Sequence, residues 1–358
     1  MDKLFWSKLA AQFGFDEDAK ISSLGNGHIN QTYFVDVQPP MVLQKINTHV
    51  FQNHTILMDN FELVTQHLNQ KKQDNAYDYE VMTLFKTTSG ASFWDDGNHG
   101  LWRAFNFVEN TITLEQASST QDAFEVAFAF GEFNRALMDC SVDKFQDVIP
   151  DFHNIHVRLE QLEAAKKQAS QERLEHADAV IDKAYLSYPM VVAFDMLVAR
   201  GLPKRLTHND TKINNILLAT DTHKATCVID LDTVMSGYLM YDFGDMVRTM
   251  VSTHPEDSAD YDQVSVRMDM MKALIEGYLT SLGDALTSVE QESLVLGAKL
   301  LPYMVGVRFL TDYLAGDVYF NVDYPEHNLI RAKNQFKLLE SISRSESEIN
   351  AMIHVAIS

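Results

Sequence analysis

The spacing of apolar positions changes near residue 113. Before it, short runs alternate as half-buried strands do: Lys20–Leu24, Thr32–Val37, Met41–Ile46, Tyr79–Thr87 and Gly100–Val108. Successive side chains of a strand face opposite sides, so Leu43 and Lys45 share a face. Two helical patterns interrupt these runs. The N-terminal MDKLFWSKLAAQFGF reads as a short amphipathic helix. Val50–Leu68 has apolar or semi-apolar residues at 50, 54, 57, 58, 61, 64, 65 and 68, which is helical spacing. GNGHIN (Gly25–Asn30) separates the first two strands, Pro39-Pro40 turns the chain into the third, and SFWDDGNHG is turn-rich.

From Thr113 onward the pattern is helical. It predicts helices over Thr120–Cys140, Ile155–Gln168, Arg173–Ser187, Met190–Gly201, Tyr241–Thr253, Asp260–Leu282, Ser288–Leu314 and Pro325–Ser343. Two strand-like pieces, Asn215–Ala219 and Ala225–Leu231, lie between the fourth and fifth. No internal repeat or low-complexity tract occurs. The expected fold is α+β and bilobal, with a small β-rich N-lobe (1–108) and a larger α-helical C-lobe (109–358). Phe105–Glu115 (FNFVENTITLE) is the expected hinge, and the cleft between the lobes is the expected ligand site. A length of 358 residues suits two lobes better than one core.

Composition narrows the function classes. A hydrophobic content of 46% with 22% charged residues is that of a soluble globular protein. The formal charge of −21 argues against a nucleic-acid partner, because such binding rests on Lys and Arg neutralising phosphates. Two cysteines, Cys140 and Cys227, make neither a disulfide framework nor a zinc spacing, and Cys227 reads as a small core residue. The N-terminus lacks an apolar h-region and a cleavage site. The best apolar stretch elsewhere, Pro189–Ala199, is broken by Asp195 and too short to span a bilayer. A cytoplasmic protein without a membrane partner is expected; the oligomeric state is not legible.

The candidate chemistry lies in Leu206–Arg248. HNDTKINN sets Asp210 and Asn215 five positions apart. Phosphoryl transfer needs a carboxylate to orient the attacking hydroxyl and accept its proton, and a divalent metal to neutralise phosphate charge. An Asp and an Asn on one tight loop supply both, and Lys212 between them can stabilise the transferring group. The bland alternative is that Asp210 and Asn215 only cap a turn. Downstream, the apolar run Ala225–Ile229 delivers Asp230, with Asp232 two residues on. Hard oxygen ligands suit magnesium, so Asn215 and Asp230 are the candidate metal ligands. Asp232 is either a second ligand or a hydrogen-bonding residue of the loop. Asp242, which opens a helix in YDFGD, reads as a helix cap, and Asp245 and Arg248 read as structural.

In the N-lobe, Gly25, Asn26, Gly27 and His28 form a turn whose backbone N–H groups can approach phosphate oxygens, unless it is an ordinary hairpin turn. Lys45 is placed to reach the α- and β-phosphates, against the alternative of a surface lysine at a strand end. Glu62 is the candidate carboxylate that orients it, with Asp59 one turn earlier as the rival. Val108 in the hinge is a further candidate nucleotide contact.

HNDTKINN resembles the H-x-D-x-x-x-x-N catalytic loop of the protein-kinase-like superfamily, in which an aspartate like Asp242 braces that loop. Within it the chain resembles the aminoglycoside phosphotransferase and choline kinase group, and most closely the N-acetylhexosamine 1-kinases. The resemblance runs through GNGHINQTYFV, VLQKINTHVFQN, LWRAFNFVENT, THNDTKINNILL, VIDLDTVMSG, YDFGDMVR and GVRFLTDYLAGDVYF. It departs from the protein-kinase glycine loop at Asn30, where a third glycine would stand, and at Lys45, where arginine is expected in much of the family. It implies transfer of the γ-phosphoryl of ATP, with Mg2+, to the anomeric hydroxyl of N-acetylglucosamine or N-acetylgalactosamine. It also implies sugar contacts at Asp210, Arg308 and Tyr319. Arg308 must find a partner in a largely apolar helix, and Asp312 one turn on is the alternative to a sugar; Tyr319 could equally be core. The same chemistry on an aminoglycoside, choline, homoserine or thioribose is the runner-up. A catalytically dead nucleotide binder is disfavoured, because Lys45, Asp210, Asn215 and Asp230 are all present.

Overall fold

The computed structural model describes residues 3–25 and 29–358. The chain opens with α1 (Lys3–Phe13) and the strands β1 (Lys20–Ser23), β2 (Gln31–Asp36) and β3 (Met41–Lys45). Then follow α2 (His54–Gln73), β4 (Leu84–Phe85), β5 (Trp94–Asp95) and β6 (Leu101–Asn106). These strands form one antiparallel sheet in the order β1-β2-β3-β6-β4, with β5 also on β6. Its two faces have different covers. Phe5, Leu9 and Phe13 of α1 pack on Val35, Leu43, Trp102 and Ala104. On the other face Phe61 of α2 meets Phe105, ring centroids 5.1 Å apart.

β7 (Thr111–Ile112) is already part of a second sheet, since it pairs with β9 (Ile216–Ala219), which pairs with β10 (Ala225–Val228). The chain therefore leaves the first sheet between Asn106 and Thr111, inside the expected hinge. The helices are α3 (Thr120–Leu137), α4 (Ile155–Gln168), α5 (Gln171–Leu186), α6 (Pro189–Ala199), α7 (Leu239–Met250), α8 (Met268–Leu282), α9 (Ser288–Ala315), α10 (His327–Arg344) and α11 (Glu346–Ile357). β8 (Arg205–Thr207) and β11 (Met235–Gly237) pair beside the HNDTKINN loop. Capping boxes start α3 (Ser119 with Asp122) and α9 (Thr287 with Glu290), each satisfying otherwise orphaned helix-end N–H groups.

The helices pack closely where glycines face each other. A Cβ on Gly244 of α7 would overlap the backbone of Gly297 in α9, and one on Gly297 would overlap that of Met240. The 28-residue α9 is long and apolar enough to cross a membrane, but 83% of its most apolar window is buried within the protein. It is the central core helix of this region.

Some elements differ from expectation for local reasons. Tyr79–Thr87 yields only β4, because Glu80 N bonds to Thr226 O on β10 while Thr83 N bonds to the Asn106 side chain. α2 begins at His54 rather than Val50, where the Asn53 side chain caps it by accepting from Ile56 N. α8 begins at Met268, since Tyr261–Gln263 forms a separate 3-10 turn and the Ser252–Val266 bridge, with Thr253 N donating to Ser265 O, holds the residues after it extended. α11 was not legible: among its residues only Ile349 and Ile353 are buried.

Candidate active site

The catalytic loop after β8 is held from several sides. Asp242, in the first turn of α7, accepts His208 N (2.9 Å) and Asn209 N (2.7 Å). It is therefore the brace of the loop and not a helix cap. Burial pushes its carboxyl up to about 7, against the two backbone donors. His208, edge-on to Phe130 and Phe133, shares a hydrogen bond with Ile229 O (2.9 Å), and Asn209 sits at φ 63 with its amide on Thr207 O and Thr233 O. This scaffold presents Asp210. Its carboxylate pairs with Lys212 (2.8 Å) and accepts Asn215 Nδ2 (3.1 Å), which also donates to the Asp210 carbonyl (2.8 Å). Burial raises the Asp210 carboxyl, but Lys212, then His208 and Arg248, hold it below the ordinary value. Burial lowers Lys212, yet Asp210 and Asp245 outweigh it and keep the ammonium charged.

The metal loop meets the catalytic loop through the backbone. Ile229 N donates to Asn215 O (2.9 Å), and Asp230 follows in the left-handed region at φ 58. No described residue donates a side-chain hydrogen bond to the Asp230 carboxylate. Burial, then the charges of Asp232 and Asp210, push it up to about 7. An unpartnered carboxylate beside other carboxylates, with an asparagine on the adjoining loop, is an all-oxygen donor set that fits a hard divalent cation such as Mg2+.

Asp232 takes up the loop-bonding role through Oδ2, while its buried Oδ1 accepts no hydrogen bond. Arg103 Nη2 lies 2.6 Å from Oδ1 and donates to Oδ2 (2.7 Å), and Asn30 Nδ2 donates to Oδ2 (2.9 Å). Both ends of the ion pair are buried, so Asp232 is the loop's tie to the N-terminal sheet.

The N-lobe candidates are distributed differently from the expectation. Gly25 has φ 68, a left-handed turn conformation; Asn26, Gly27 and His28 lie outside the described residues. Lys45 does share a face with Leu43, but that is the face covered by α1, and its Cε lies against Gly100. Gln44 points to the opposite face, where its Oε1 accepts Arg103 Nε (3.0 Å) and Nη2 (2.5 Å). Glu62 does not orient Lys45: its carboxylate takes Lys86 (2.5 Å) and Ser92 Oγ. In the hinge, the Val108 carbonyl accepts Thr111 Oγ1 (2.7 Å).

The Arg308 guanidinium, which feels the Asp210 charge, is ringed by Phe152 (5.3 Å), Phe320 (5.4 Å) and Tyr319 (5.9 Å). Burial holds its pKa below the ordinary value. Asp312 is not its partner. That carboxylate accepts Val318 N (2.9 Å), Tyr319 N (2.8 Å), Phe320 N (2.9 Å) and Asn328 Nδ2 (2.9 Å), and so fixes the loop after α9. Tyr319 is 58% exposed and is not a core residue. His153 joins this side to the catalytic loop, its Nε2 on Asn209 O (2.9 Å) and its buried Nδ1 without a described partner. Burial brings it down to about 4, so it is neutral.

The family profile described as "Phosphotransferase enzyme family" (APH) matches residues 20–267, which take in the sheet, the catalytic loop and the metal loop. The chain belongs to this family. The phosphotransferase is similar to a microcompartment-associated aminopropanol kinase (TM-score 0.62, 15% identity, 98% of this chain and 99% of the other). It is similar to the choline kinase from Cryptosporidium parvum Iowa II (TM-score 0.60, 15% identity, 99% and 100% covered). A third is amicoumacin kinase in complex with AMP-PNP and Ca2+ (TM-score 0.59, 13% identity, 94% and 93% covered). At these identities the likeness is one of fold: a sheet-bearing N-terminal region against a helical C-terminal part, the protein-kinase-like arrangement.

Sequence reasoning missed two groups in this phosphotransferase. Arg103 had a signal, since a charged residue within the otherwise apolar strand LWRAF must find a buried partner. His153 had none, being a lone histidine in a loop whose partner is a backbone carbonyl 56 positions away.

Proposed function

We propose that the protein transfers the γ-phosphoryl group of ATP to the anomeric hydroxyl of an N-acetylhexosamine, GlcNAc or GalNAc, giving the sugar 1-phosphate. Residues 1–108 and 109–358 act as its two lobes. The observation that carries the acceptor class is the surround of Arg308. A cation set among three aromatic rings, with no described carboxylate paired to it, disfavours a cationic amine. Arg248 pairs with Glu256 and with Oδ1 of Asp245, which leaves Asp245 Oδ2 as a buried acceptor on this side. Aromatic faces and guanidinium donors suit a neutral, hydroxylated ring with an amide or several hydroxyls.

Asp210 orients the C1 hydroxyl and takes its proton as the oxygen–phosphorus bond forms and the bond to the β-phosphate oxygen breaks, releasing ADP. Its depressed pKa keeps it ionised and a weak base; an anomeric hydroxyl, more acidic than an ordinary alcohol, suits that. Lys212, anchored on Asp210, offsets charge on the transferring group. Asn215 and Asp230 would hold Mg2+, which neutralises the β- and γ-phosphates when bound. Arg308 and Tyr319 contact the sugar, and Gly25 and Val108 line the nucleotide side.

The deciding experiment is turnover with Mg-ATP on a panel of hexosamines, hexoses, choline and aminoglycosides, followed by NMR of the product. Phosphorus coupled to the anomeric carbon is the expected result. Phosphorylation of choline, an aminoglycoside or a ring hydroxyl other than C1 overturns the acceptor assignment.

A further inference from the structure

The N-terminal sheet sends one buried cation toward the metal loop, and it is not a lysine of the third strand. Gln44 of β3 and Arg103 of β6 are cross-strand neighbours on the cleft face, and Lys45 is on the other face. Arg103 is 1% exposed and its side chain is fixed along its length. Its guanidinium lies over Phe105 (4.8 Å) and Phe61 (5.4 Å), donates twice to Gln44 and reaches Asp232. Asn30, just beyond the glycine turn, donates to the same Asp232 oxygen, and its own Oδ1 accepts Asn47 N (2.9 Å). Two N-terminal segments thus converge on one carboxylate in the loop that carries Asp230, Arg103 being steadied by Gln44 and Asn30 by Asn47.

We propose that Arg103 is a positioning residue for metal-bound nucleotide: it holds Asp232 in place as a tether, so that the loop presents Asp230 and Asn215, and not Asp232, to the metal. The inference rests on the nucleotide and metal side of the function proposed above and is independent of the acceptor. With Oδ2 shared between a buried arginine and an asparagine amide, and Oδ1 2.6 Å from the same arginine but taking no hydrogen bond, the Asp232 carboxylate is held by the N-terminal sheet through one oxygen. Without Arg103, Asp232 becomes a buried charge held by the Asn30 amide alone, which loosens the loop that bears the metal ligand.

The test is calorimetric titration of the full chain with AMP-PNP, with and without Mg2+, with no sugar present. Arg103→Met should lower the magnesium-dependent gain in nucleotide affinity by about 10- to 100-fold, the range for groups that hold metal ligands in place. Metal-free nucleotide affinity should stay close to wild type. Arg103→Lys keeps the buried charge, and with it the fold, but loses the planar two-sided contact, and should show an intermediate loss. A purely structural role predicts a fall in melting temperature with the magnesium gain intact, and that result overturns the proposal. An R103M protein with a larger magnesium gain, as expected if Asp232 were itself a ligand held back by Arg103, also overturns it. A wild-type chain that binds no nucleotide in either condition removes both this proposal and the kinase reading; a wrong acceptor leaves it standing.

Discussion

Asp210 is held in three ways: by an ammonium, by an asparagine amide and by a backbone that Asp242 fixes from below. Replacing it with asparagine preserves shape but leaves no group able to take a proton. Asp210→Asn should lower kcat by about 10²- to 10⁴-fold, the span of general-base losses. Nucleotide affinity, measured by calorimetry on the same sample, should be unchanged; retained turnover would refute the assignment. At this scale the sequence was informative where the chemistry is local. Asp210, Lys212 and Asn215 sit within six positions of one another, and their spacing alone brings them together. It misled at Lys45, because alternation tells which residues share a face but not which face looks into the cleft. The α1 cluster settles that, and α1 is far from β3 in sequence. The Glu62 expectation failed for a related reason: Lys86, on a strand-like segment whose position only the fold determines, reaches that carboxylate first.

Among the elements, the long periodic helices were legible nearly to the residue, α4 and α9 above all. The short strands β5, β7, β8 and β11 were not, since two or three residues carry no period and their pairing is made entirely by tertiary context. Helix contact at the site floor depends on absent side chains. α7, which carries Asp242, lies so near α9 at Gly244 and Gly297 that a methyl group on either meets backbone rather than a movable side chain. Gly297→Ala gains about 0.4–1 kcal/mol by restricting the unfolded chain. Overpacking costs about 1–3 kcal/mol or more and should win. Urea denaturation should therefore show G297A destabilised. A variant as stable as wild type would mean that the two helices separate at little cost.

For the whole molecule, stability should depend on pH through the buried brace. The Asp242 carboxyl titrates at about 7 in the folded chain, against about 3.9 when unfolded. The folded protein binds that proton more tightly, so this group favours folding fully below about pH 4, and its contribution is lost as pH rises through about 7. Denaturation of wild type and Asp242→Asn across this window should show D242N less stable at every pH, with the gap narrowing as pH rises. A gap that widens would mean Asp242 folds as a stabilised anion. The chain's net charge of −21 leaves the cations of the cleft conspicuous against a negative background. One further property follows from the way Asp312 grips the turn after α9. Asp312 grips only backbone amides, which every amino acid but proline possesses, so those bonds are indifferent to the side chain at 319, whereas Phe320 also packs on Phe309. The exposed Tyr319 can therefore be exchanged while the mounting stays put, so a variant there reads the proposed acceptor contact without rebuilding any helix.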